Sequence, residues 1–430
     1  MPLHVFSEVD PLRRVLVHRP GLEIDWMTPT LMGQLLFDDI LDGEEARQEH
    51  DTFCAVLERA GAELVEPQRL LAEVLAGDGA RDELLRELER DFDVEPEVVA
   101  HLAALEAEGL AAALVHGVRA PAEAAASRRQ AIFDLPPIPN FFFQRDAQVV
   151  LGDRTIVCSM ATAAREREQL VARFICARHP ALAGAARFEI ERPPSGAPDH
   201  DPHFPYPTLE GGDVVVASRD TVLVGAGERT NRRGVEILAE YLRREPAGFR
   251  HLVMVELPPR RSCMHLDTVF SFIDRDTRLA YLPVVEPGRS ESAQVYYADL
   301  EARELAFAPR PSLLQALAGL GIDLEVVPCG GADDPIEQQR EQWTDGANAF
   351  ALAPGVIVLY RRNHRTLEEL ARRGYRVLGE DEAASGGSSV VGLGRTVVAL
   401  EGYELARARG GPRCMAMPLE RVERADGDAA

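Results

Sequence analysis

Cys414 is the cysteine whose neighbours favour nucleophilic chemistry. It ends the segment Arg409-Gly410-Gly411-Pro412-Arg413-Cys414, in which cationic side chains and flexible backbone surround the thiol. Nearby positive charge lowers the pKa of a thiol and favours the thiolate, which is the form that attacks an electrophile. The other five of the six cysteines are scattered without a Cys-x-x-Cys pair, so we expect reduced and mostly inert core residues. The sequence therefore predicts Cys414 as a nucleophile.

His265 and Asp267 are separated by one residue, which places both side chains on the same face if the segment is a strand. Such a pair can ligate zinc or iron, or it can serve in acid–base chemistry. A metal site would need further ligands from residues 199–203, where Asp199-His200-Asp201-Pro202-His203 lies between predicted units and is typical of a solvated loop. We therefore predict no metal and favour an acid–base or binding role.

Acidic residues stand just before the first strand of each predicted unit: Asp146, Asp213, Asp267 and Asp345. If these strand ends converge, the carboxylates face one cavity and repel each other unless a cation lies among them. That cation is either a metal or an organic group such as guanidinium. In Glu210-Gly211-Gly212-Asp213 the two glycines permit a close approach of the backbone to a ligand, although a simple loop before a strand explains them equally well.

The elements that must position these residues recur along the chain. Two β-rich runs joined by a turn, then a helix and a further strand, are predicted at residues 147–190, 214–256, 268–327 and 350–378. The predicted strands include Val214–Ser218, Leu279–Val284, Val356–Tyr360 and Tyr375–Leu378. A fifth unit can be assembled from both ends of the chain, with Val15–Val17, a helix at 44–59, a strand at 62–65 and the run 414–417. Five such units with meeting termini predict a closed, propeller-like α/β domain. An ordinary open α/β sheet is the alternative.

Residues 67–127 interrupt this pattern. They are predicted to be helical, with leucines at helical spacing and Pro96 at the first turn of one helix. We expect a helical insertion at 67–127, a catalytic α/β propeller formed by 1–66 and 128–424, and a frayed tail at 425–430.

Composition restricts the class of partner. The 430 residues carry a formal net charge of -23, which opposes binding to nucleic acids and to anionic membrane surfaces but is compatible with a small cationic substrate. No apolar run approaches the ~18 residues that span a bilayer, and the start of the chain has no apolar signal-peptide core. Together with the scattered cysteines, this predicts a cytoplasmic protein.

Several motifs, taken together and in order, resemble the arginine deiminase family. They extend over essentially the whole chain, and the most specific are Pro139-Asn140-Phe141-Phe142-Phe143-Gln144-Arg145-Asp146, Glu210-Gly211-Gly212-Asp213, Met264-His265-Leu266-Asp267-Thr268-Val269-Phe270 and Arg413-Cys414-Met415-Ala416-Met417-Pro418. The opening Leu16-Val17-His18-Arg19-Pro20-Gly21 and Asp345-Gly346-Ala347-Asn348 add to them. The family's fold is a five-fold pseudo-symmetric α/β propeller of the pentein type with a helical insertion, which agrees with the predicted repeats.

The resemblance implies a role for each matching residue. The implied catalytic set consists of Cys414 as nucleophile, His265 as general acid/base, Glu210 as its acidic partner, and Asp146 and Asp267 as the carboxylates that hold a guanidinium. The implied substrate-binding set consists of Asn140, Arg165, Arg229 and Arg409 at the amino-acid end, Phe143 along the aliphatic stem, and Asp213. The chain departs from the commoner pattern at Ala147-Gln148, where many members have Pro-Phe, and at Arg407-Ala408-Arg409, which leaves open which arginine contacts the substrate.

The implied reaction converts L-arginine to L-citrulline and ammonia through a covalent thiouronium intermediate on Cys414, without metal or organic cofactor, in an enzyme expected to be homo-oligomeric. An amidinotransferase forms the same intermediate and passes the amidine to an amine. A catalytically silent arginine-binding protein would need neither nucleophile nor base, and a metal-dependent hydrolase is the remaining alternative.

Overall fold

The structure, a computed structural model, describes residues 3–77, 79–121, 132–190, 206–289, 291–386 and 389–422. The α-helices comprise Leu22–Asp25, Pro29–Leu35, Gly43–Arg59, Pro67–Leu75, Ala80–Asp91, Pro96–Ala103, Ala107–His116, Glu166–Arg178, Arg232–Arg244, Leu282–Val285, Leu313–Ala318, Pro335–Trp343, His364–Arg372, Glu380–Ser385 and Pro412–Met415. Short 3₁₀ turns lie at Pro139–Phe142, Ala163–Arg165, Gly211–Asp213, Arg261–Cys263, Leu266–Thr268, Val390–Gly392 and Leu405–Ala408.

The two ends of the chain meet in one sheet, which we call the terminal sheet. Leu12–Leu16 is its central strand, parallel to Glu63–Val65 and antiparallel to Met417–Arg421. This confirms the expectation that a fifth unit is assembled from both termini. The prediction of a strand at 414–417 was wrong, however, because Pro412 starts a short helix, Pro412–Met415, and the strand begins only at Met417.

The four predicted internal units each form a hairpin whose second strand belongs to a sheet with parallel neighbours. The second sheet contains Gln148–Leu151, Arg154–Val157 and Ala186–Glu189. The third contains Val214–Ser218, Thr221–Ala226 and His251–Glu256, and the fourth contains Phe270–Phe272, Thr277–Ala280 and Glu325–Pro328. The fifth contains Phe350–Ala353, Val356–Tyr360, Arg376–Gly379 and Thr396–Leu400. Thr221–Ala226 and Val356–Tyr360, in the third and fifth sheets, are mainly apolar strands buried on both faces, as expected for strands with parallel neighbours.

The sheets differ from the predicted units in three places. A hairpin of Gln294–Asp299 and Ala308–Arg310 extends the third sheet, and Thr396–Leu400 separates the fifth sheet's predicted neighbours, Val356–Tyr360 and Arg376–Gly379. The predicted strand 279–284 ends at Ala280, because Pro283 lies in the first turn of the helix Leu282–Val285. The architecture is therefore a mixed α/β fold with five principal sheets and a small ribbon of Val118–Arg119 and Phe133–Leu135.

The region predicted as an insertion contains four helices, between Pro67 and His116. Pro96 starts one of them, as the sequence predicts. The buried residues Leu84, Leu88 and Leu102 belong to the same hydrophobic cluster as the strands of the second sheet, so these helices pack onto the rest of the fold. Residues 122–131 and the predicted tail at 425–430 lie outside the described residues, and the division into catalytic and inserted parts stays a prediction.

Short turns ahead of the hairpins position the polar residues. Gly211–Asp213 and Leu266–Thr268 are 3₁₀ turns that directly precede the third and fourth sheets. His265 and Asp267 are therefore not on a strand, which corrects the sequence prediction: the backbone N–H of Thr268 donates to the His265 carbonyl at 3.1 Å and closes the turn. In the described ranges no helix is long and apolar enough to cross a membrane.

Candidate active site

A narrow, enclosed cavity of about 10 Å³ brings together most of the predicted site residues. Its walls contain Asn140, Phe143, Asp146, Arg165, Arg229, His265, Arg409 and Cys414, together with Leu36, Arg261, Met264, Thr268 and Ala408, which were not predicted. Glu210, Asp213 and Asp267 lie directly behind these walls, where each is fully buried. The turns that precede separate sheets thus converge on one point.

His265 is clamped between two carboxylates. Its Nε2 lies 2.8 Å from Glu210 Oε2, and its Nδ1 lies 3.7 Å from Asp146 Oδ1. Burial opposes the charged form, but Asp146, the hydrogen bond with Glu210 and the charge of Asp213 outweigh it and raise the pKa of His265 to about 9. The imidazolium is therefore the form present at neutral pH.

Glu210 holds its negative charge in a buried setting. Burial raises its pKa, but Arg229, with Nη1 3.9 Å from Glu210 Oε1, the hydrogen bond with His265 and Arg165 outweigh burial and hold the pKa of this carboxyl well below its usual range. The backbone N–H of Ala161 also donates to Oε1 at 3.0 Å. Glu210 consequently fixes the orientation of the His265 ring and favours its protonation.

The two glycines of the Glu210-Gly211-Gly212-Asp213 motif are required by close contacts. A Cβ atom at Gly212 would lie 2.6 Å from His265 Nδ1, and one at Gly211 would lie 2.0 Å from the Arg145 carbonyl oxygen. A larger residue at either position would displace the histidine or the backbone. The motif is therefore part of the site and not only a loop before a strand.

Cys414 lies on the short helix Pro412–Met415 and is 5% exposed. Its Sγ is 3.8 Å from Asp267 Oδ2 and 3.3 Å from Asn348 Nδ2. Burial raises the pKa of the thiol, and the carboxylates of Asp267 and Asp146 raise it further. The prediction that nearby arginines lower this pKa was wrong for the structure as described.

The neighbouring arginines do not lower the pKa of the thiol, because Arg413 is paired with carboxylates and Arg409 is directed toward Trp343. Arg413 donates through Nη1 to Asp267 Oδ2 at 2.8 Å and through Nη2 to Glu8 Oε1 at 2.9 Å. Arg409 stacks on the Trp343 ring, with Cζ 3.5 Å from the ring centroid. Arg413 thus positions Asp267 beside the sulfur but supplies no net charge to it.

Asp146 and Asp267 each have one partnered and one free oxygen. Asp146 Oδ2 accepts from Arg165 Nη1 at 2.7 Å, and Asp267 Oδ2 accepts from Arg413. Among the described residues, Oδ1 of each carboxylate has no hydrogen-bond partner, although both atoms are buried. Buried polar atoms of this kind are rarely left unpaired, so these two oxygens are acceptors available to a ligand.

Arg165 and Arg229 line the same cavity. Arg165 is held by Asp146 and by two contacts with Glu168, at 2.9 and 2.7 Å. Arg229 is 3% exposed, and its Nη1 has no hydrogen-bond partner within the described ranges. Arg229 lies within ion-pair distance of Glu210 (3.9 Å) and Glu228 (3.5 Å), but its Nη1 still offers a buried N–H donor to an anionic ligand group.

The sequence left open whether Arg407 or Arg409 contacts the substrate, and the structure places Arg409, not Arg407, in the cavity wall. Arg409 lines the cavity in a left-handed backbone conformation with φ 67°, whereas Arg407 pairs with Asp39 and Glu404 away from it. Burial lowers the pKa of Arg409, and its Nη1 donates to the Trp343 carbonyl. Arg409 is accordingly the residue available to a bound molecule.

Three other predicted residues have defined positions. Asn140 donates through Nδ2 to the Leu35 carbonyl at 2.8 Å, and the Phe143 ring packs against Gly410, where a Cβ would lie 2.2 Å from it. Asp213 lies behind the cavity and accepts from the Leu266 N–H at 2.9 Å, and burial raises its pKa to about 7. Asp213 therefore braces the turn that carries His265 and does not line the cavity.

Asp345, the fourth acid of the predicted set, is buried and lies outside the cavity wall. Burial raises its pKa to about 7, against the opposing charge of Arg409. Asn348, three residues later, contacts Cys414 directly and received no role from the sequence. The sequence signal for Asn348 was the motif Asp345-Gly346-Ala347-Asn348, which contributed to the resemblance to the arginine deiminase family but to which no function was assigned.

The donor atoms of Asp146, Glu210 and His265 lie within 4.8 Å of one another, close enough to hold a metal ion. Arg165 occupies that neighbourhood, with Nη1 2.7 Å from Asp146 Oδ2 and 3.8 Å from Glu210 Oε2. A guanidinium thus already balances these carboxylates, which opposes the entry of a divalent cation.

Comparison with known proteins identifies the family. The family model described as "Arginine deiminase" matches residues 33–421. The chain belongs to the arginine deiminase family. A curated arginine deiminase from Bacillus cereus (strain ATCC 10987 / NRS 248) is 34% identical over 98% of this chain and 99% of its own length, and one from Listeria innocua is 33% identical over 97% and 98%.

Among solved structures, SxtG, an amidinotransferase from Microseira wollei, superposes with a TM-score of 0.54 at 15% identity, covering 99% of this chain and 98% of its own. This likeness shows a shared fold. The chain is therefore much more similar in sequence to the two arginine deiminases, at 34% and 33% identity, than to the amidinotransferase, at 15% identity.

Proposed function

We propose that the protein is an arginine deiminase that hydrolyses L-arginine to L-citrulline and ammonia. The observation that carries this proposal is a pair of buried carboxylate oxygens, Asp146 Oδ1 and Asp267 Oδ1, which accept no hydrogen bond from the described residues and lie beside an imidazolium and a thiol. A guanidinium is planar and presents several N–H donors in fixed directions, so it suits two carboxylates that flank a nucleophile. The full-length identity to curated arginine deiminases supports the same substrate.

The bound guanidinium supplies the positive charge that the thiol lacks. In the proposed complex it lies between Asp146 and Asp267 and offsets the carboxylates that raise the pKa of Cys414. The thiol then loses its proton to solvent, because His265 already carries one. Substrate binding thus raises the thiolate fraction of Cys414, so that the nucleophile is most reactive when the guanidinium is in place.

Chemistry follows in two halves. The Cys414 sulfur adds to the guanidinium carbon and forms a C–S bond. His265 gives its proton to one terminal nitrogen, whose C–N bond breaks and releases ammonia, leaving a thiouronium. Neutral His265 next takes a proton from water as the oxygen adds to the same carbon. The C–S bond then breaks as the added hydroxyl loses its remaining proton to solvent, and citrulline and the thiolate are formed. Glu210 steadies the imidazolium in both halves.

The other end of the substrate is assigned to Asn140, Arg165, Arg229 and Arg409, with Phe143 along its stem. The free Nη1 of Arg229 supports binding of the substrate carboxylate. Arg165 is already paired with Asp146 and Glu168, so its contribution requires a rearrangement of these pairs. Because the cavity holds little more than a water molecule, we propose that residues 405–411 move to admit arginine.

We further propose that the five principal sheets are arranged with five-fold pseudo-symmetry about the site, with residues 67–127 as an insertion. The cavity is lined by residues from five 3₁₀ turns and the short helix Pro412–Met415, and this convergence supports the arrangement. A cytoplasmic location, a homo-oligomeric state and the lack of nucleic-acid or membrane partners belong to the same proposal, and the charge of -23 supports the last point.

Product analysis tests the function. We expect citrulline and ammonia in equal amounts from L-arginine, at the same rate with and without a chelator, and one ¹⁸O atom in citrulline when the reaction runs in H₂¹⁸O. An amidinotransferase would instead require an amine acceptor and would yield ornithine. Loss of activity with the chelator, restored by a divalent metal, would favour the metal-dependent alternative.

The pH profile tests the role of His265. Its pKa is raised to about 9, so the imidazolium needed to protonate the departing nitrogen is present below that value and is lost above it. We expect kcat to fall as the pH rises through about 9 and the alkaline limb to disappear in His265→Ala, together with nearly all activity. A wild-type rate that climbs steadily to high pH would remove His265 from this role.

A further inference from the structure

Asn348 makes four hydrogen bonds around the nucleophile. Its Oδ1 accepts from the backbone N–H groups of Arg413 at 3.0 Å and Cys414 at 3.3 Å. Its Nδ2 donates to the Cys414 sulfur at 3.3 Å and to the Asp267 carbonyl at 3.2 Å. The side chain is fully buried, so one amide connects the helix that carries the thiol to the turn that carries Asp267.

The orientation of this amide follows from its partners. Backbone N–H groups can only donate, so the side-chain atom facing Arg413 and Cys414 must be the carbonyl oxygen. The NH₂ group consequently faces the sulfur and the Asp267 carbonyl, both of which can accept. In the opposite orientation the NH₂ group of Asn348 would face the backbone N–H groups of Arg413 and Cys414, and donors would face donors. An N–H is thus directed at the atom that becomes a thiolate.

The glycine loop is shaped around Asn348. A Cβ atom at Gly411 would lie 2.6 Å from Asn348 Oδ1 and 2.8 Å from its Cβ, so only glycine leaves room for this side chain. The close approach of Asn348 therefore explains why residue 411 is a glycine. The structure gives the loop and the amide complementary shapes.

The sulfur needs a donor because its other close neighbour is an acceptor. A thiol can donate to Asp267 Oδ2, 3.8 Å away, but a thiolate cannot, and the carboxylate then repels it. Asn348 Nδ2 is the side-chain N–H group that donates to Cys414 Sγ among the described residues, and a backbone hydrogen bond from Gly411 adds to its effect by lowering the pKa of the thiol. A neutral amide can stabilise the thiolate without displacing the cationic substrate from the neighbouring carboxylates.

We propose that Asn348 is a further catalytic residue, whose side-chain N–H stabilises the Cys414 thiolate while its carbonyl fixes the start of the helix that carries it. The role deepens the proposed deiminase mechanism and rests on it where turnover is concerned. The donor is present before the substrate binds, so its effect on the thiol is independent of what the substrate is.

Alkylation of Cys414 by iodoacetamide, without arginine and across a range of pH, measures thiolate formation directly. The modified Cys414 peptide is quantified by mass spectrometry so that the other cysteines do not contribute. Asn348→Asp keeps an acceptor for both backbone N–H groups but replaces the donor by a carboxylate. Asn348→Ala removes both functions. Asn363→Ala is the matched control, because Asn363 is equally buried and bonds Thr344 away from the sulfur.

We expect Asn348→Asp and Asn348→Ala to alkylate about 10- to 100-fold more slowly than the wild type near neutral pH, with a pH profile displaced upward, and kcat to fall in parallel. The groups that otherwise surround the sulfur, namely Asp146, Asp267, Asp345, Arg409 and Tyr360, are unchanged in these variants. Asn363→Ala should keep the wild-type profile even if its melting temperature falls.

Wild-type alkylation rates and pH dependence in folded Asn348→Asp would overturn the proposal. So would failure of Asn348→Asp to fold, since both acceptor contacts are kept and a donor role predicts a stable protein. The test is separable from the proposed function: if the wild type formed no citrulline from arginine, the deiminase assignment would fail while the alkylation comparison still decided the role of Asn348.

Discussion

Cys414→Ser is expected to abolish citrulline formation while leaving the fold intact. The sulfur is the atom that adds to the guanidinium carbon in the proposed mechanism, and a serine hydroxyl has a far higher pKa beside Asp146 and Asp267. Since the side chain is buried and similar in size to serine, the melting temperature should change by only a few degrees. Steady-state citrulline assays and thermal unfolding measure the two effects.

A second readout identifies the covalent intermediate. Acid quenching of wild-type enzyme during turnover, followed by intact-mass measurement, should show the amidine adduct on Cys414, and Cys414→Ser should show none. Cys176→Ser is the control, because Cys176 is also buried but lies in the helix Glu166–Arg178, with its sulfur 3.3 Å from Gln148 Oε1. Activity above a few per cent of the wild-type rate in Cys414→Ser would exclude the covalent route.

The error about the Cys414 pKa shows where sequence reasoning ends. Charges adjacent in the chain predicted activation, but a side chain's direction is a tertiary property. Arg413 points to Glu8 and Asp267, and Glu8 comes from the other end of the chain. The carboxylates that dominate the thiol come from separate turns. Spacing cannot show which of two oppositely charged neighbours lies closer to the sulfur.

The fold was more accessible to prediction where local pattern and burial agree. Val214–Ser218 and Val356–Tyr360 have the predicted bounds, because each is a β-branched run ended by turn residues. The hairpin at Gln294–Asp299 was missed, since its polar and half-buried residues show no clear alternation. His265 was placed on a strand because a 3₁₀ turn of three residues has no periodicity to detect.

The sequence predicted which residues belong to the site, but it did not predict the hydrogen bonds and ion pairs that connect them. The family motifs identified the residues that line the cavity, including Asn140 and Arg229. They did not show that Asp213 braces a backbone N–H or that Arg165 is bound to Asp146 before any substrate arrives. Asn348 was present in one of the family motifs, yet nothing in the sequence relates this amide to a nucleophile 66 residues further along the chain.

Arg229 is expected to determine which guanidine compounds are used. Asp146 and Asp267 would accept the guanidinium of arginine and of agmatine equally well, so discrimination must arise at the other end of the substrate. The buried Arg229 Nη1 has no hydrogen-bond partner among the described residues, and agmatine has no carboxylate to offer it. Sites built for a polar group can reject an analogue that lacks it by about 10⁴-fold. We therefore expect efficient use of L-arginine and negligible use of agmatine.

Arg229→Leu tests this expectation through a ratio. The variant should lose most of its kcat/KM for arginine but little of its already small value for agmatine, so the preference between them should collapse. Some loss of kcat is also expected, since Arg229 lies 3.9 Å from Glu210 and helps to keep that carboxyl ionised. Because this second effect acts on both substrates alike, it cancels in the ratio.

Arg232→Leu is the matched control for this substitution. Arg232 lies three residues further on, is 48% exposed and pairs with Glu236 and Glu256 on the surface, so its loss should leave both kcat/KM values unchanged. A wild-type enzyme with comparable kcat/KM for arginine and agmatine would remove the carboxylate-binding role of Arg229, even with Cys414 as nucleophile. A preference retained in Arg229→Leu would transfer that role to Arg409, another arginine of the cavity wall, whose guanidinium stacks on the Trp343 ring.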